Sequence, residues 1–585
     1  MSDTSRSRSV TDRISSGRSP IAPGPAAQPP VTHPPAAHLT LSPSTDPGPL
    51  AQAALVQDAL PLLREWLPRQ RWFAGKGRPV SAVVPTGVTV LPGSASGDPL
   101  LLHLLLEVTQ IGPDGSSETD VYQLLLGARS GPDRPEHDPE DRRAAVVGRI
   151  SGGPNDGLLI YDAAYDDALT QRLLRLLADS GPKGTQVGPL RFSNLNGPDG
   201  DGGPIGLGGL GEPDSLSTRP SRVGTAEQSN TSIVFGNSAI LKLFRRVSPG
   251  LNPDLELSLA LSRAGSTRVP STLAWYEGEL PPSRKQPDGP GAAPEPEPEP
   301  ATLGLLQRYL HGGRDGWEFA LSHVQRLRTA PALRTRPIDQ ITGNFSAESF
   351  LLGRCTAEIH LTLAEVLPVT VLAPADVEAL AGTMARRLDA AALVVPALAP
   401  YRPALHLIFQ SLADSARDGR RLQAQRIHGD LHLGQSMRTG RGWVLLDFEG
   451  EPAKSLAERR RPQPAVRDVA AILRSFDYAA AHLLSELSPG DPQRGPLADL
   501  AATWALRNRE AFCAGYAAAG AEDPTADLVL LHALETDKAV YEVVYEARNR
   551  PGWLPIPLSA IARLARAAES RRLPDRRTPD PGPVR

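Results

Sequence analysis

Two carboxylates in neighbouring polar loops carry the strongest chemical signal in the chain. Asp430 lies in HGDLHLGQ (residues 428–435), a polar stretch after a helical run, and Asp447 lies in WVLLDFEGE (443–451), where a short apolar strand ends. A tight turn at Arg438-Thr439-Gly440-Arg441-Gly442 separates the two loops. Phosphoryl transfer requires this layout: Asp430 to receive the proton of an acceptor hydroxyl, and Asp447 to hold Mg²⁺ against nucleotide phosphates. Gln435, five residues after Asp430, adds an amide as a second metal ligand.

A cation for the phosphates is expected from EQSNTSIVFGNSAILKLFRR (227–246). Its apolar residues alternate as two strands around a Gly236-Asn237 turn. Ser229, Asn230, Thr231 and Ser232 sit where a nucleotide-covering loop would lie. Lys242 shares a strand face with Ile240 and Phe244, and an inward lysine is costly unless paired. Asn252-Pro253 is a helix start, with an N-cap residue and Pro in the first turn. Glu256, beside Leu255 and Leu259 in that helix, is the expected partner, since a strand lysine and a helix glutamate together position nucleotide phosphates in kinases. The strand 302–310 leads into HGGRDGWEFA, a glycine-containing connector before a helix, as in a kinase hinge. Backbone groups from Gln307 to Tyr309 would hold an adenine there.

For the acceptor, the chain offers DKAVYEVVYEARNRPGWLPIPL (537–558). Lys538, Tyr541, Glu542, Tyr545, Arg548 and Asn549 recur at three or four residues and so share one helical face. Tyrosines beside charged hydrogen-bonding groups suit the flat, hydroxyl-rich face of a sugar; the bland reading is a half-buried helix with polar tips. His432, next to the base, is expected to contact that sugar. His428 and His432 are spaced like a helical metal pair, but they lie in a loop without further Cys or His nearby, which argues against zinc. His360, on an apolar helix, reads as a satisfied core histidine, Asp468 as a brace for the catalytic loop, and Arg459-Arg460-Arg461 as a solvated basic surface. The Gly-rich stretch 196–211 lacks the strand and helix that a dinucleotide fingerprint needs.

The elements that must carry these groups span more than one domain, since 585 residues exceed a single core. A formal charge of −3 points to neither nucleic acid nor a membrane surface. No apolar run reaches the roughly 18 residues of a membrane span. Two distant cysteines, Cys355 and Cys513, suit a reducing cytoplasmic setting rather than a disulfide scaffold. Residues 1–49 and 573–585 are Pro-, Ser- and Arg-rich and too poor in large apolar residues to order, and PGAAPEPEPEPA (290–301) reads as an acidic surface insertion. Between the tails, a helix near 55–67 runs into the basic and aromatic stretch LPRQRWFAGKGR (67–78), to which no chemistry attaches. Strands follow near 99–108, 121–126 and 144–150, a charged loop at 129–143, and a helix over 161–177. From Trp317 onward the spacing is helical, over 350–363, 373–391 and 403–424. The expected divisions are a cap at 50–180, an N-lobe at 181–312 and a C-lobe at 313–572.

Taken together, EQSNTSIVFG, LKLFRR with NPDLEL, HGDLHLGQ, LLDFEGEP, LRSFDYAA and YEVVYEARNRPGWL resemble the maltokinases, relatives of aminoglycoside phosphotransferases. The resemblance runs from about residue 67 to 561, with insertions at 128–143, 193–220 and 281–301. It implies an α+β, bilobal, eukaryotic-protein-kinase-like fold with an N-terminal α+β cap subdomain and a mainly helical C-lobe. It further implies transfer of the γ-phosphoryl of ATP to the anomeric hydroxyl of maltose, within trehalose-to-α-glucan metabolism, with possible association with trehalose synthase. By the same resemblance Asp430 matches the base, Gln435 and Asp447 the metal ligands, and Lys242 the phosphate-contacting lysine, with Glu256 as its helix partner. Glu449 stands where protein kinases have the glycine of their metal loop, and Ser229 to Ser232 replace a glycine-rich nucleotide loop. Three other readings are weighed: a kinase for an amino sugar or aminoglycoside, with Glu535, Asp537, Glu542 and Glu546 answering a cationic acceptor; a protein kinase, against which stands the lack of anything resembling an APE segment; and an inactive nucleotide-binding scaffold for a glucan-pathway enzyme.

Overall fold

The computed structural model describes residues 49–572 apart from 94–98, 113–114, 132–144, 196–219, 225–229, 281–298, 330–337, 453 and 489. Both expected tails, the charged loop at 129–143, the Gly-rich stretch, the Pro/Glu insertion and Ser229 fall wholly or largely outside the described residues.

The cap is a helix on a sheet. Helix α1 (Pro49–Trp66) covers strands β1 (Val80–Leu91), β2 (Leu100–Ile111), β3 (Ser117–Arg129), β4 (Val146–Arg149) and β5 (Leu159–Asp162), ordered β1-β2-β3-β5-β4. The run LLLHLLLEV looks too apolar for an ordinary surface strand because this sheet is buried on both faces. Leu102, Leu104, Leu106 and Val108 meet Leu55, Val56 and Leu63 of α1. Leu101 and Leu105 instead join a second core with helix α2 (Asp167–Ala178) and the N-lobe. Strand β1 escaped the sequence reading because a register shift between Pro85 and Gly87 breaks its alternation. The helix expected over 161–177 begins later: Tyr161 and Asp162 pair in β5, and Asp166 caps α2 by accepting from Ala168 N and Leu169 N.

The N-lobe is a seven-stranded antiparallel sheet, ordered β6-β7-β12-β13-β10-β9-β8. Its strands are β6 (Thr185–Val187), β7 (Leu190–Asn194), β8 (Ser221–Val223), β9 (Asn230–Phe235), β10 (Ala239–Phe244), β12 (Thr272–Leu280) and β13 (Glu299–Arg308). The expected β9–β10 hairpin closes at Gly236, whose φ of 55° is the left-handed conformation a tight turn asks of glycine. Strand β11 (Arg246–Val247) leaves this sheet to pair with β3 of the cap. Helix α3 (Pro253–Arg263) starts as read, with Asn252 Oδ1 accepting from Asp254 N at 2.8 Å.

Cap and N-lobe share a core, fastened by polar groups that water cannot reach. Arg245 and Asp162 form a fully buried ion pair at 2.5 Å, and Arg245 also donates to Thr231 Oγ1 and lies over the Trp72 ring. Breaking such a pair by removing one partner costs about 3–5 kcal/mol, because the other charge is stranded. Gln123 of β3 donates to the carbonyls of Phe244 and Leu303.

The C-lobe is helical: α4 (Gly316–Val324), α5 (Ile338–Thr342), α6 (Phe345–Val366), α7 (Pro374–Val394), α8 (Arg402–Arg417), α9 (Leu456–Arg459), α10 (Val466–Ser485), α11 (Arg494–Ala518), α12 (Leu528–Asn549) and α13 (Pro555–Arg572). Helix α8 stops short of the expected 424; Gly419, at φ 90°, turns the chain into a short strand, Leu422–Ala424. Helices α6 and α11 cross with their backbones almost touching. A Cβ on Gly515 would lie 1.9 Å from the Phe350 carbonyl oxygen, so glycine is required there.

Candidate active site

Asp468, in the first turn of α10, sets the loop that carries Asp430. Its carboxylate accepts from His428 N at 2.8 Å and Gly429 N at 2.9 Å, so one buried side chain fixes two successive peptides. His360 holds Asp468 from behind, with Nε2 3.0 Å from its carboxylate and Nδ1 2.9 Å from the Tyr516 hydroxyl. It is the satisfied core histidine read from the sequence. His428 is structural too: its ring packs on Phe448, and Nε2 lies 2.8 Å from the Leu446 carbonyl oxygen.

The chain returns to this position along the hairpin Ser436–Thr439 and Gly442–Leu445, which leads into the loop of Asp447. Leu446 N donates to Gln435 O at 2.9 Å, and the Gln435 amide donates to Asp447 Oδ2 at 2.9 Å. Asp447 adopts φ 63°, alone among the described non-glycine residues, a strain of about 1–3 kcal/mol that persists because its neighbours hold it. One of them is Asp254, which accepts from Phe448 N at 3.0 Å.

Lys242, expected to pair with Glu256, pairs instead with Asp254 at 3.0 Å, with Glu449 at 2.5 Å and with Asp447. The reason is helical geometry: residues two apart on α3 point some 200° apart around its axis. Asp254 faces the strand, while Glu256 faces Arg426, at 2.8 Å, and Arg460, at 3.4 Å. Glu256 is therefore outside the site. The signal for Asp254 was its place in the first turn after the Asn252 cap. Thr231 is also corrected. It lies in β9 rather than in a covering loop and is spent on Arg245. Strand alternation sends Asn230 the other way, where its amide donates to Glu449 Oε1 at 2.7 Å. Ser232, two residues on, is buried opposite Lys242 in the β9–β10 register. Gln307 occupies the end of β13, beside Ile240 and Thr272, just before the connector to the C-lobe.

The carboxylates of Asp254, Asp447 and Glu449 place ligand oxygens within 4.8 Å of one another. Burial, then the neighbouring Asp447 and Asp254 charges, push the Glu449 carboxyl up to about 7, although Lys242 opposes them. Burial acts in the same sense on Asp447, but Lys242, His428 and the Gln435 amide together lower that carboxyl below its ordinary value.

Asp430 opens on the other side, into a cavity of about 1110 Å³. His432, Lys538, Tyr541, Tyr545 and Arg548 all line it, so the helical face read from the sequence is real. Tyr541 and Tyr545 stack with centroids 6.2 Å apart, and Lys538 lies over the Tyr541 ring. Lys538 also reaches Asp430, 3.0 Å from its Oδ1, and sits 3.6 Å from Glu451. Burial opposes ionisation of Asp430, but Lys538 and then His432 prevail and hold the carboxyl at about 2.

The opposite wall belongs to the cap, through Arg71, Trp72, Phe73, Ala74 and Lys76. These come from the 67–78 stretch, whose composition carried no spacing rule that could assign it. Residues 66–166 match the family model of the maltokinase N-terminal cap domain. The chain thus carries a maltokinase-type cap on a kinase-like body. It is 28% identical over 346 residues to a glucosamine kinase of Streptacidiphilus jiangxiensis, covering 57% of this chain and 70% of that one. It is 26% identical over 365 residues to a glucosamine kinase of Mycolicibacterium smegmatis, covering 60% of this chain and 81% of that one. A solved glucosamine kinase in complex with glucosamine, ADP and inorganic phosphate shares the fold, with a TM-score of 0.55 at 20% identity over 86% of this chain and 98% of that one. The bilobal α+β architecture with a capped N-lobe is therefore that of these kinases. No helix among the described residues is long and apolar enough to cross a membrane.

The four carboxylates that suggested a cationic acceptor are all engaged. Glu535 binds Arg509 at 2.6 Å and Asp537 binds Arg387 at 2.8 Å, while Glu542 binds Arg474 and Glu546 binds Arg550, each at 2.7 Å. Arg474 comes from LRSFDYAA and Glu542 from YEVVYEARNRPGWL, so two of the stretches that carry the resemblance meet in one buried ion pair at the cavity wall.

Proposed function

We propose that the chain is an ATP-dependent sugar kinase that transfers the γ-phosphoryl group to the anomeric hydroxyl of maltose. The observation that carries this reading is the meeting, at one interlobe position, of Lys242, Asp447, Glu449 and Gln435, with Asp430, on the preceding loop, lining a large cavity. Three carboxylates and an amide are the hard donors that Mg²⁺ takes, and one ammonium among three acids leaves the cluster short of positive charge. Asp447 and Gln435, with Glu449 or Asp254, would hold the ion, which when bound neutralises charge on the β- and γ-phosphates.

The chain's own residues supply the rest. Lys242, on its strand, is placed to hold the α- and β-phosphates. Asp430, kept ionised by Lys538, orients the acceptor hydroxyl and accepts its proton as the new O–P bond forms and the bond to the β,γ-bridging oxygen breaks. Tyr541 and Tyr545 offer stacking faces for sugar rings. A cavity of about 1110 Å³ lies at the upper end of small-molecule sites and suits a disaccharide better than a single ring.

A second reading, phosphorylation of an amino sugar, is favoured by the glucosamine kinases among the relatives. Against it, Asp430, Glu542 and Glu546 in the cavity wall each already hold a cation, and Asp315 caps α4 by accepting from Glu318 N. The test is incubation of the purified protein with ATP-Mg²⁺ and maltose, glucose or glucosamine, with products identified by mass spectrometry and phosphorus NMR. Maltose 1-phosphate is expected as the main product. A tenfold preference for glucosamine in kcat/KM would overturn the maltose assignment, and absence of turnover with every sugar would overturn the kinase.

A further inference from the structure

The cavity beside Asp430 is built from two bodies. Its floor and one wall, Asp430, His432 and the α12 face, belong to the C-lobe; the facing wall is the cap segment 71–76. That segment is pinned rather than slack. Phe73 stacks on Tyr122 with centroids 5.1 Å apart, Ala74 N donates to the Tyr122 hydroxyl at 3.1 Å, and the Gln110 amide donates to Gly75 O at 3.1 Å. Gly75 turns at φ 65°, the left-handed conformation that favours glycine. With Trp72 and Phe73 buried, the residues left exposed in the wall are the two cations, Arg71 and Lys76.

The wall is also tied to the nucleotide-binding lobe. Strand β11, which follows the Lys242 strand by one residue, pairs with β3, and Tyr122 of β3 is the residue that holds Phe73 and Ala74. Arg245 and Asp162 lock the same junction. The cap segment therefore moves with the lobe that carries Lys242, and any closure of the lobes brings Arg71 and Lys76 toward an acceptor seated on α12.

We propose that the cap segment 71–76 is the acceptor-selecting wall of the site: Arg71 and Lys76 close on the acceptor's far end, admitting a neutral, hydroxyl-rich sugar and repelling one that bears an ammonium group. This rests on the sugar-kinase reading above. It assigns acceptor choice to the cap, outside the kinase body, through positive charge placed opposite carboxylates that are already paired. Because the two side chains are exposed, their replacement need not disturb the cap core.

The experiment compares the full-length protein with Arg71→Ala/Lys76→Ala and Arg71→Glu/Lys76→Glu variants, measuring kcat and KM for maltose, glucosamine and ATP, together with melting temperatures. The charge reversal is expected to raise the ratio of glucosamine to maltose kcat/KM at least tenfold, with KM for ATP within twofold of the parent. Raising salt to about 0.5 M is expected to shrink that change, since a shorter Debye length screens an exposed charge. The alanine pair is expected to raise KM for maltose about fivefold, and it carries the test alone if the reversal lowers the melting temperature. A glucosamine-to-maltose ratio and a maltose KM within twofold of the parent in folded variants would overturn the role of the cap. Parent protein that phosphorylates no sugar would overturn the sugar-kinase reading instead, so the two failures are distinct.

Discussion

Around Lys242 three carboxylates, Asp254, Asp447 and Glu449, share one ammonium. Around the acceptor cavity the balance is reversed: Asp430 has Lys538, Glu542 has Arg474, Glu546 has Arg550, and the rim adds Arg71, Lys76 and Arg548. The titration of the two halves follows. Glu449, among like charges, is pushed up to about 7, whereas Asp430, half-buried and facing Lys538, is held at about 2. A site short of positive charge is built to receive cations, and a site whose acids are already paired is built to receive neutral hydroxyls. On the function proposed above, the same two residue types would separate a half for metal and phosphate from a half for sugar within one cleft.

Removing the base attacks the acceptor half at its centre and carries the largest expected effect. Asp430→Asn keeps shape and hydrogen bonding but cannot take a proton, so kcat should fall by about 10³-fold, within the range for a positioned general base. ATP affinity by calorimetry should stay within twofold. Turnover above a tenth of the parent would remove Asp430 from that role. On the metal half, Asp254→Asn should lower kcat/KM for ATP by about 10²-fold, because it loosens both Lys242 and the peptide of Phe448. Glu256→Gln is the control. It should leave KM for ATP within threefold and lower the melting temperature, since its carboxylate serves the buried Arg426. The opposite ranking would restore Glu256 as the lysine's partner.

What could be read from the sequence was whatever a local rule governs. The spacing of Asp430, Gln435 and Asp447, the Gly236-Asn237 hairpin, the Asn252-Pro253 helix start and the α12 face all obey short-range geometry, and the structure keeps each. The errors arose where the answer depended on a rotation or on a distant partner. Asp254 and Glu256 are both acids near one helix start, and only the direction of α3 against β10 separates them. Thr231 failed because the strand begins at Asn230, three residues earlier than the loop reading allowed, which turns its side chain toward the cap. The pairs Lys538–Asp430, Arg474–Glu542 and Arg245–Asp162 join residues 108, 68 and 83 apart, and no periodicity links such positions. The cap wall was invisible for a further reason. A basic, aromatic run reads alike whether it faces solvent or a sugar.

The smallest expected effect tests whether Lys538 belongs to the acceptor half as a charge partner or only as a sugar contact. Asp430 is faced by Lys538, His432 and His428, with Glu451 on the far side of the lysine; burial pushes its carboxyl up, and the cations pull it down to about 2. A carboxyl depressed below its unfolded value of 3.8 contributes stability above that pH and loses it as pH falls toward 2. In Lys538→Met the burial remains while the strongest opposing charge is gone, so Asp430 should titrate above its ordinary value. The parent's kcat/KM should then show no acid limb from Asp430 above pH 4, whereas the variant should gain one above pH 4 that the parent lacks, with its activity deficit shrinking as pH rises. A lysine that only bound sugar would raise KM for maltose equally at every pH and leave the limb where it was. That outcome would detach Lys538 from the base, and with it the argument that the acceptor half is neutral because its own cations have already answered its acids.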